Sequence, residues 1–316
     1  AGVLAAKGTS HLLSPYKGKT LGTIVARFFS NHMLGIDKDY TGYLNYYEGM
    51  ILAVSILTVF AVSYFIVKKS TRVKALVLTV FLVFLTIMPL TSRILVFTKH
   101  SYRWTFMICF MEALVIGCFL QDVFREKNRK TVLAGSILAI VICGGLLAWM
   151  YSFKNIKPDH KVTAGVIGFL AVYLILFAVG TSVKKMYRIF PAAVLLVLIC
   201  ELFVLDYPSL WHRESPTRNQ VATEYYNDGT KEAVAMLKEQ DDSVYRIEKS
   251  YTSASENDGM SQGYNGLSVY MSTNPASLVA YHKMYGPETL SGNFVDFNMD
   301  DYIRSSLLGT KYLITG

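Results

Sequence analysis

The sequence predicts a mainly α-helical membrane protein, in which a polytopic transmembrane bundle of about six spans precedes an extracytoplasmic α/β domain. Three observations lead to this class. Apolar residues fill positions 50–205 almost without a break, whereas apolar runs beyond Leu205 are short. Hydrophobic residues make up 52% of the 316-residue chain, and charged residues only 17%. The mean hydropathy of +0.33 is typical of a chain that is about half embedded in a bilayer.

Six apolar stretches are the predicted spans. A hydrocarbon core about 30 Å thick is crossed by about 17–25 helical residues, and only a helix satisfies all backbone polar groups within one segment there. The second and sixth stretches are short by this measure, so they are expected to borrow flanking residues. The stretches are 50–67, 75–90, 104–120, 132–150, 162–183 and 190–205.

The loops between these stretches differ in their content of basic residues, and this predicts the orientation. The loops after the first, third and fifth stretches carry 11 Lys and Arg residues, against 6 in the two loops between them. Because cytoplasmic loops are enriched in Lys and Arg, the first set is predicted to be cytoplasmic. Both chain ends are then extracytoplasmic. This distribution explains the net charge of +8, so the expected partner is the lipid bilayer and not nucleic acid.

The predicted organisation has three parts. Residues 1–48 form an outer segment, 49–206 the six-helix transmembrane domain and 207–316 the extracytoplasmic domain. Within the outer segment, apolar residues recur at helical spacing at Leu21, Ile24, Val25, Phe28, Phe29 and Met33. They indicate an amphipathic helix, which either lies at the outer membrane interface or packs on other protein.

Beyond Leu205 the pattern alternates between helix and strand. Helices are predicted over 230–240, 275–285 and 299–308. Strands are predicted over 243–250 and 267–271, with a last strand at Leu313 and Ile314. Alternating elements of this kind predict an α/β layer. Because the chain opens at Ala1 without an initiator Met and stops in a strand pattern, we expect a middle piece of a longer polytopic protein, with this last domain truncated.

Motifs of soluble nucleotide-dependent and zinc-dependent enzymes are missing from the sequence. It has no G-x-x-x-x-G-K-[ST], G-x-G-x-x-G, H-E-x-x-H, G-x-S-x-G or C-x-x-C. Six scattered histidines have no metal-ligand spacing, and all four cysteines lie in predicted spans, where they are interpreted as small packing residues. No cofactor is identified and no metal site is expected. Outer regions without cysteine or an N-x-Ser/Thr acceptor suit a bacterial cell surface.

A basic loop follows the second predicted span, against the positive-inside trend. It contains Arg93, Lys99, His100 and Arg103 beside Tyr102 and Trp104. One interpretation is interfacial anchoring, in which aromatic rings sit at headgroup level and cations reach into water. The other is a site for a phosphate-bearing lipid, since an arginine guanidinium matches phosphate oxygens.

Two acidic residues lie inside predicted spans. Glu112 is about eight residues into the third span and Glu201 about eleven into the sixth. A carboxylate at that depth is costly unless it faces a cavity, meets a cation or is protonated, so intramembrane acids are functional candidates. A structural hydrogen bond between helices is the alternative for both, and Glu201 in particular is open to it.

Tyr46, Tyr47 and Glu48 precede the first predicted span. At a helix start, Glu48 would offset the positive end of the helix dipole, and the tyrosines suit an aromatic belt. The same residues also suit a sugar site, where aromatic rings stack on sugar faces and a carboxylate binds hydroxyl groups. Both interpretations stay open.

Four motifs together resemble the YfhO family of bacterial membrane proteins over nearly the whole chain. They are Asn-Tyr-Tyr-Glu-Gly at 45–49, Ser-Tyr-Arg-Trp at 101–104, Gln-Gly-Tyr-Asn-Gly-Leu-Ser-Val-Tyr at 262–270, and Leu-Leu-Gly-Thr-Lys-Tyr-Leu-Ile at 307–314. The 262–270 motif follows a short Tyr-Arg-Ile strand at 245–247.

The resemblance implies a GT-C-type membrane glycosyltransferase. Such an enzyme would move a sugar from an undecaprenyl-phosphate carrier onto a cell-wall polymer such as lipoteichoic acid, on the outer face of the bacterial cell membrane. It needs no nucleotide sugar. The family's catalytic carboxylate is expected in an outer loop before Ala1, so the catalytic base is unknown here, and Asp37 and Asp39 are weak substitutes.

Two further functions remain as alternatives. A transporter or flippase would move a lipid-linked intermediate without chemistry, with Glu112 and Glu201 as coupling carboxylates. Paired inverted halves, which are typical of many transporters, are not evident in the hydropathy. A non-catalytic scaffold would use the outer domain to dock polymer or partner enzymes.

Overall fold

The computed structural model describes residues 14–36, 39–43, 55–95, 102–126, 128–183, 188–208, 215–253, 257–270, 275–285, 290–291, 294–295 and 302–316. The chain divides into two compact units, Ala1–Arg213 and Glu214–Gly316. We call them unit 1 and unit 2 and describe each by itself.

Unit 1 is a bundle of helices. They are α1 (Gly18–Arg27), α2 (Leu57–Val67), α3 (Arg72–Ile87), α4 (Pro89–Leu95), α5 (Phe106–Glu126, preceded by a 3₁₀ turn at Arg103–Thr105), α6 (Arg129–Ser152), α7 (His160–Gly180) and α8 (Phe190–Leu205). Helices α6 and α7 have side-chain N-caps: Asn128 accepts a hydrogen bond from the Thr131 amide, and Asp159 accepts one from the Lys161 amide.

Three helices in the described part of the chain are long and apolar enough to cross a membrane: Arg103–Arg125, Arg129–Ser152 and His160–Gly180. A fourth crossing is present if α3 and α4 form one broken span, and α2 and α8 are shorter apolar helices. The protein is therefore mainly helical with several membrane-spanning candidates. The prediction of six spans is not confirmed by these lengths.

The second predicted span, 75–90, is not one straight helix. Met88 has extended backbone angles (φ −98°, ψ 122°), and the axes of α3 and α4 differ by 84°. The cause is local, since the residue before a proline avoids the helical conformation and Pro89 follows directly. Proline is then well tolerated as the first residue of α4.

Close packing of α2 on α6 forms the centre of unit 1. A stripe of small buried residues on α6, Gly135, Ala139 and Cys143, allows this approach. A Cβ atom on Gly135 would lie only 2.8 Å from the Tyr64 Cα atom of α2. Small residues at such spacing are the usual means by which membrane helices come close. Next to this contact, the rings of Tyr64 and Phe119 pack with centroids 5.2 Å apart.

Helix α1 is packed on other protein, which is the second of the two interpretations left open by its sequence. Its residues from Gly22 to Arg27 are buried. The segment after it is fixed by long-range hydrogen bonds: the Ser30 hydroxyl donates to the Leu205 carbonyl at 2.7 Å, and the Asp159 amide donates to the Met33 carbonyl at 2.8 Å. Residues 22–34 of the predicted outer segment are thus part of the core of unit 1.

Unit 2 alternates short helices and strands. Its helices are α9 (Arg218–Thr223), α10 (Thr230–Gln240), α11 (Asp258–Gln262), α12 (Ala276–Tyr285) and α13 (Tyr302–Leu307). Its strands are β1 (Arg246–Lys249), β2 (Val269–Tyr270), β3 (Leu290–Ser291), β4 (Phe294–Val295) and β5 (Thr310–Ile314). Strand β1 pairs in parallel with β5, and β2, β4 and β3 form an antiparallel sheet in that order. The predicted helix over 230–240 coincides with α10. The position of this unit outside the membrane stays a prediction.

Candidate functional site

A groove between α2, α3 and α5 is the candidate site of unit 1. Its cavity volume is about 330 Å³, and its walls are mostly aliphatic and aromatic, with Val62, Leu78 and Val115 among them. Leu114 on its rim is 70% exposed and Met111 37% exposed. The groove therefore opens on an exposed apolar surface of unit 1, and its chemistry suits a hydrocarbon chain.

The two ends of the groove carry different ionisable residues, an acid at one end and a lysine at the other. Helices α2 and α5 run in the same direction, because Lys68 and Asp122 near their C-terminal ends form an ion pair at 2.7 Å. Helix α3 returns after a short turn. Thr58 and Glu112 therefore line one end of the groove, and the exposed Lys74 lines the other. Glu112, which the sequence marked as an intramembrane acid, is 3% exposed in this wall.

Two of the predicted phosphate-binding cations lie in the described part of the chain. Arg93 is half-buried on α4, and Arg103 is exposed at the start of the 3₁₀ turn before α5. The start of this turn is fixed to the end of α3, because the Tyr102 hydroxyl donates to the Thr86 carbonyl at 2.6 Å. The ring of Trp104 stacks on Tyr102 with centroids 6.0 Å apart. Arg103 therefore projects from a well-packed cluster next to the break between α3 and α4.

The remaining predicted binding residues, Tyr46, Tyr47, Glu48, Lys99 and His100, lie outside the described residues.

Glu201 lies at the N-terminal end of α2, away from the groove. The Ser55 and Tyr173 hydroxyls donate to its Oε2 atom at 2.5 and 2.7 Å. The Ile56 amide donates to its Oε1 atom at 2.6 Å. The first amides of a helix have no partner within the helix, and inside a membrane water does not supply one. The Glu201 carboxyl therefore satisfies the start of α2 and joins it to α7 and α8.

Arg27 at the end of α1 is a buried cation that the apolar spacing of this helix does not predict. It is 2% exposed, and its Nε and one terminal nitrogen donate to Asn31 Oδ1 at 2.9 and 2.8 Å. A buried Ser30 hydroxyl lies 3.1 Å from His32 Nδ1 in the next turn. The spacing of four residues between Arg27 and Asn31 is the available signal, since it brings two side chains together where a helix continues, although α1 itself ends at Arg27.

The described residues contain no group of three or more His, Cys, Asp or Glu side chains that could hold a metal ion.

The groove is lined mostly by hydrocarbon side chains, with one acid and one cation at its ends. Such an arrangement can hold an apolar chain and place a charged headgroup near either end.

A family model described as "Bacterial membrane protein YfhO" matches residues 12–316. No curated protein and no solved structure matches the chain.

Proposed function

Because the chain belongs to the YfhO family of bacterial membrane proteins, we propose that it is part of a membrane glycosyltransferase with a lipid-linked sugar donor. The donor would be a sugar on undecaprenyl phosphate, and the acceptor a cell-wall polymer such as lipoteichoic acid. The observation that carries the proposal is the apolar groove between α2, α3 and α5, which opens on an exposed apolar surface. An isoprenoid chain is the part of such a donor that needs a groove of this kind.

In this proposal the carrier phosphate binds near the break between α3 and α4. Arg93, Lys99, His100 and Arg103 would hold it, and the planar guanidinium of Arg103 would bind two phosphate oxygens at once. Positive charge at this place would stabilise the leaving phosphate in the transition state. Tyr46, Tyr47 and Glu48 would line the sugar side.

The proposed orientation places both chain ends on the extracytoplasmic side of the cell membrane. It follows from the basic loops, which favour a cytoplasmic position for Lys68 and for Lys74 at the groove's cationic end. The Glu112 end of the groove then points toward the outer leaflet, and Arg103 lies farther out along the same helix. The reaction needs no cofactor in this scheme.

A transfer and binding assay in proteoliposomes tests the proposal. Arg103→Ala should weaken binding of undecaprenyl-phosphate sugar at least tenfold, because a charge-assisted bidentate contact is lost. Lys157→Ala is the matched control, an exposed cation in the other predicted outer loop. In the groove, Leu78→Trp should reduce binding, whereas Val77→Trp, at a side chain 64% exposed outside the lining, should not. Full donor affinity in both Arg103→Ala and Leu78→Trp would refute the proposal.

The buried Glu112 in the groove wall favours one second candidate, a flippase for a lipid-linked intermediate. The same proteoliposomes distinguish it, because a flippase moves fluorescent carrier lipid across the bilayer without sugar transfer and depends on a proton gradient. Glu112→Gln should then abolish the movement. A scaffold would show neither transfer nor movement.

A further inference from the structure

Unit 2 contains a second, more polar pocket, with a cavity volume of about 700 Å³. One wall is the end of α10 and the turn that leads into β1. The other wall is α11 and the loop that follows it. Apolar and polar surface line it in similar amounts, unlike the groove of unit 1. A hydrocarbon chain is therefore not its natural occupant.

Two of the three charged residues that line this pocket, Lys238 and Asp241, already make contacts within the protein, and the third, Asp242, is exposed. Asp241 accepts hydrogen bonds from Lys311 Nζ at 2.5 Å and from the Tyr312 hydroxyl at 2.7 Å. Lys238 Nζ donates to the Gly263 carbonyl at 2.7 Å, where the positive φ of 79° suits glycine and ends α11. An anionic ligand would have to displace Asp241 from Lys311 and would be repelled by the Asp242 carboxylate, so a neutral ligand fits better.

The groups left for a ligand are aromatic rings, an amide, the exposed Asp242 carboxylate and exposed apolar side chains. Tyr245 and Tyr264 are half-buried, and Asn265 is exposed. Met260 on the same lining is 84% exposed, and Val244 is fully exposed. Aromatic rings with a few well-placed polar groups bind ligands that have both C–H faces and hydroxyl groups.

A buried polar network holds the two walls in place. Lys249 Nζ, at the end of β1, donates to Asp258 Oδ2 of α11 at 2.8 Å and to Gln262 Oε1 at 3.0 Å. The side chains of Lys249 and Asp258 are only 3% and 7% exposed. Glu248 accepts a hydrogen bond from the Ser268 hydroxyl at 3.0 Å. Because these contacts fix the pocket before binding, little ordering would be needed on binding.

We propose that this pocket of unit 2 is a carbohydrate-binding site for a neutral saccharide. The rings of Tyr245 and Tyr264 would stack on the C–H faces of sugar rings, and Asn265 would bind their hydroxyl groups. The inference goes beyond the proposed function, because it concerns unit 2 alone and holds whether or not the protein transfers sugar.

Saturation-transfer NMR on the whole chain in nanodiscs tests this inference. The probes are two neutral disaccharides, cellobiose and chitobiose, at millimolar concentration, with glycerol 3-phosphate as an anionic comparison. We expect transfer to the disaccharides and none to glycerol 3-phosphate. Tyr264→Ala should weaken disaccharide binding at least tenfold and Tyr264→Phe much less, because the ring and not the hydroxyl makes the stacking contact. Asn265→Ala, at an exposed side chain, should weaken it about fivefold to tenfold without affecting folding.

Tyr270→Ala is the matched control, because Tyr270 is 45% exposed and lies outside the pocket lining. It should leave binding unchanged. Any of three results would overturn the inference. The first is no saturation transfer to either disaccharide in folded protein, and the second is an equal loss of disaccharide affinity in Tyr270→Ala and Tyr264→Ala. The third is unchanged disaccharide affinity in both single variants, Asn265→Ala and Tyr264→Ala. Sugar transfer in proteoliposomes is a separate readout, so the two proposals can fail independently.

Discussion

Replacing Glu201 by methionine should destabilise unit 1 by about 2–5 kcal/mol. Methionine nearly fills the volume of glutamate but offers no oxygen, so the Ser55 hydroxyl, the Ile56 amide and the Tyr173 hydroxyl all lose their acceptor. A buried donor without a partner costs about 1–3 kcal/mol in water-soluble proteins. Hydrogen bonds between membrane helices are worth less, about 0.6–1.7 kcal/mol each, and three of them give the range stated.

The assay is the melting temperature of the purified protein in one detergent. At about 2–4 °C per kcal/mol for a large domain, Glu201→Met should melt about 4–20 °C lower. Tyr173→Phe removes one of the three donors and should cost about a third as much. Tyr151→Phe is the control, since its hydroxyl bonds Thr163 at 2.9 Å but the residue is 42% exposed. If Glu201→Met melted no lower than Tyr151→Phe, the start of α2 would not depend on this carboxyl and the reasoning would fail.

Two further predictions concern packing and pH. Gly135→Leu should lower the melting temperature sharply, because even the Cβ atom of the new side chain would lie 2.8 Å from the Tyr64 Cα atom. Gly144→Leu on the same helix is the control and should be neutral, because a Cβ atom there has nothing within 4 Å. Equal melting temperatures of the two variants would contradict the close approach of α2 and α6. The Lys311 ammonium beside Asp241 holds the pKa of that carboxyl well below its usual range. A carboxyl group with a depressed pKa stabilises the folded state above about pH 4, and this stabilisation is lost as the pH falls further. The wild type should therefore have a higher melting temperature than Asp241→Asn at neutral pH, and the two melting temperatures should converge in acid. A constant difference in melting temperature across this pH range would refute the assignment.

Hydropathy and local periodicity predicted much of the secondary structure. The third, fourth and fifth apolar stretches all became helices long enough to span a membrane, because length and composition decide that property. In unit 2, the alternation around Ile247 predicted β1, and the apolar spacing over 230–240 predicted α10. These are features that a chain segment carries in its own sequence.

Features that depend on distant partners were not predictable in this way. The spacing of α1 predicted an amphipathic helix but left open what covers it, and the buried Arg27 became visible only through its packing. Pro89 was a local signal for the break after α3, but the hydropathy of 75–90 concealed it. The described helix α2 begins at Leu57, well inside the predicted first span, because its first amides find a partner on α8.

The two intramembrane acids show why function needs the surroundings as well as the sequence. Glu112 and Glu201 looked alike, each a carboxyl group deep in an apolar stretch. Glu201 is enclosed by three donors, two from the turn before α2 and one from α7, an arrangement that explains its presence by structure alone. Glu112 lines the apolar groove between α2, α3 and α5. Of the two acids, Glu112 is therefore the one on which a lipid-dependent function should be tested.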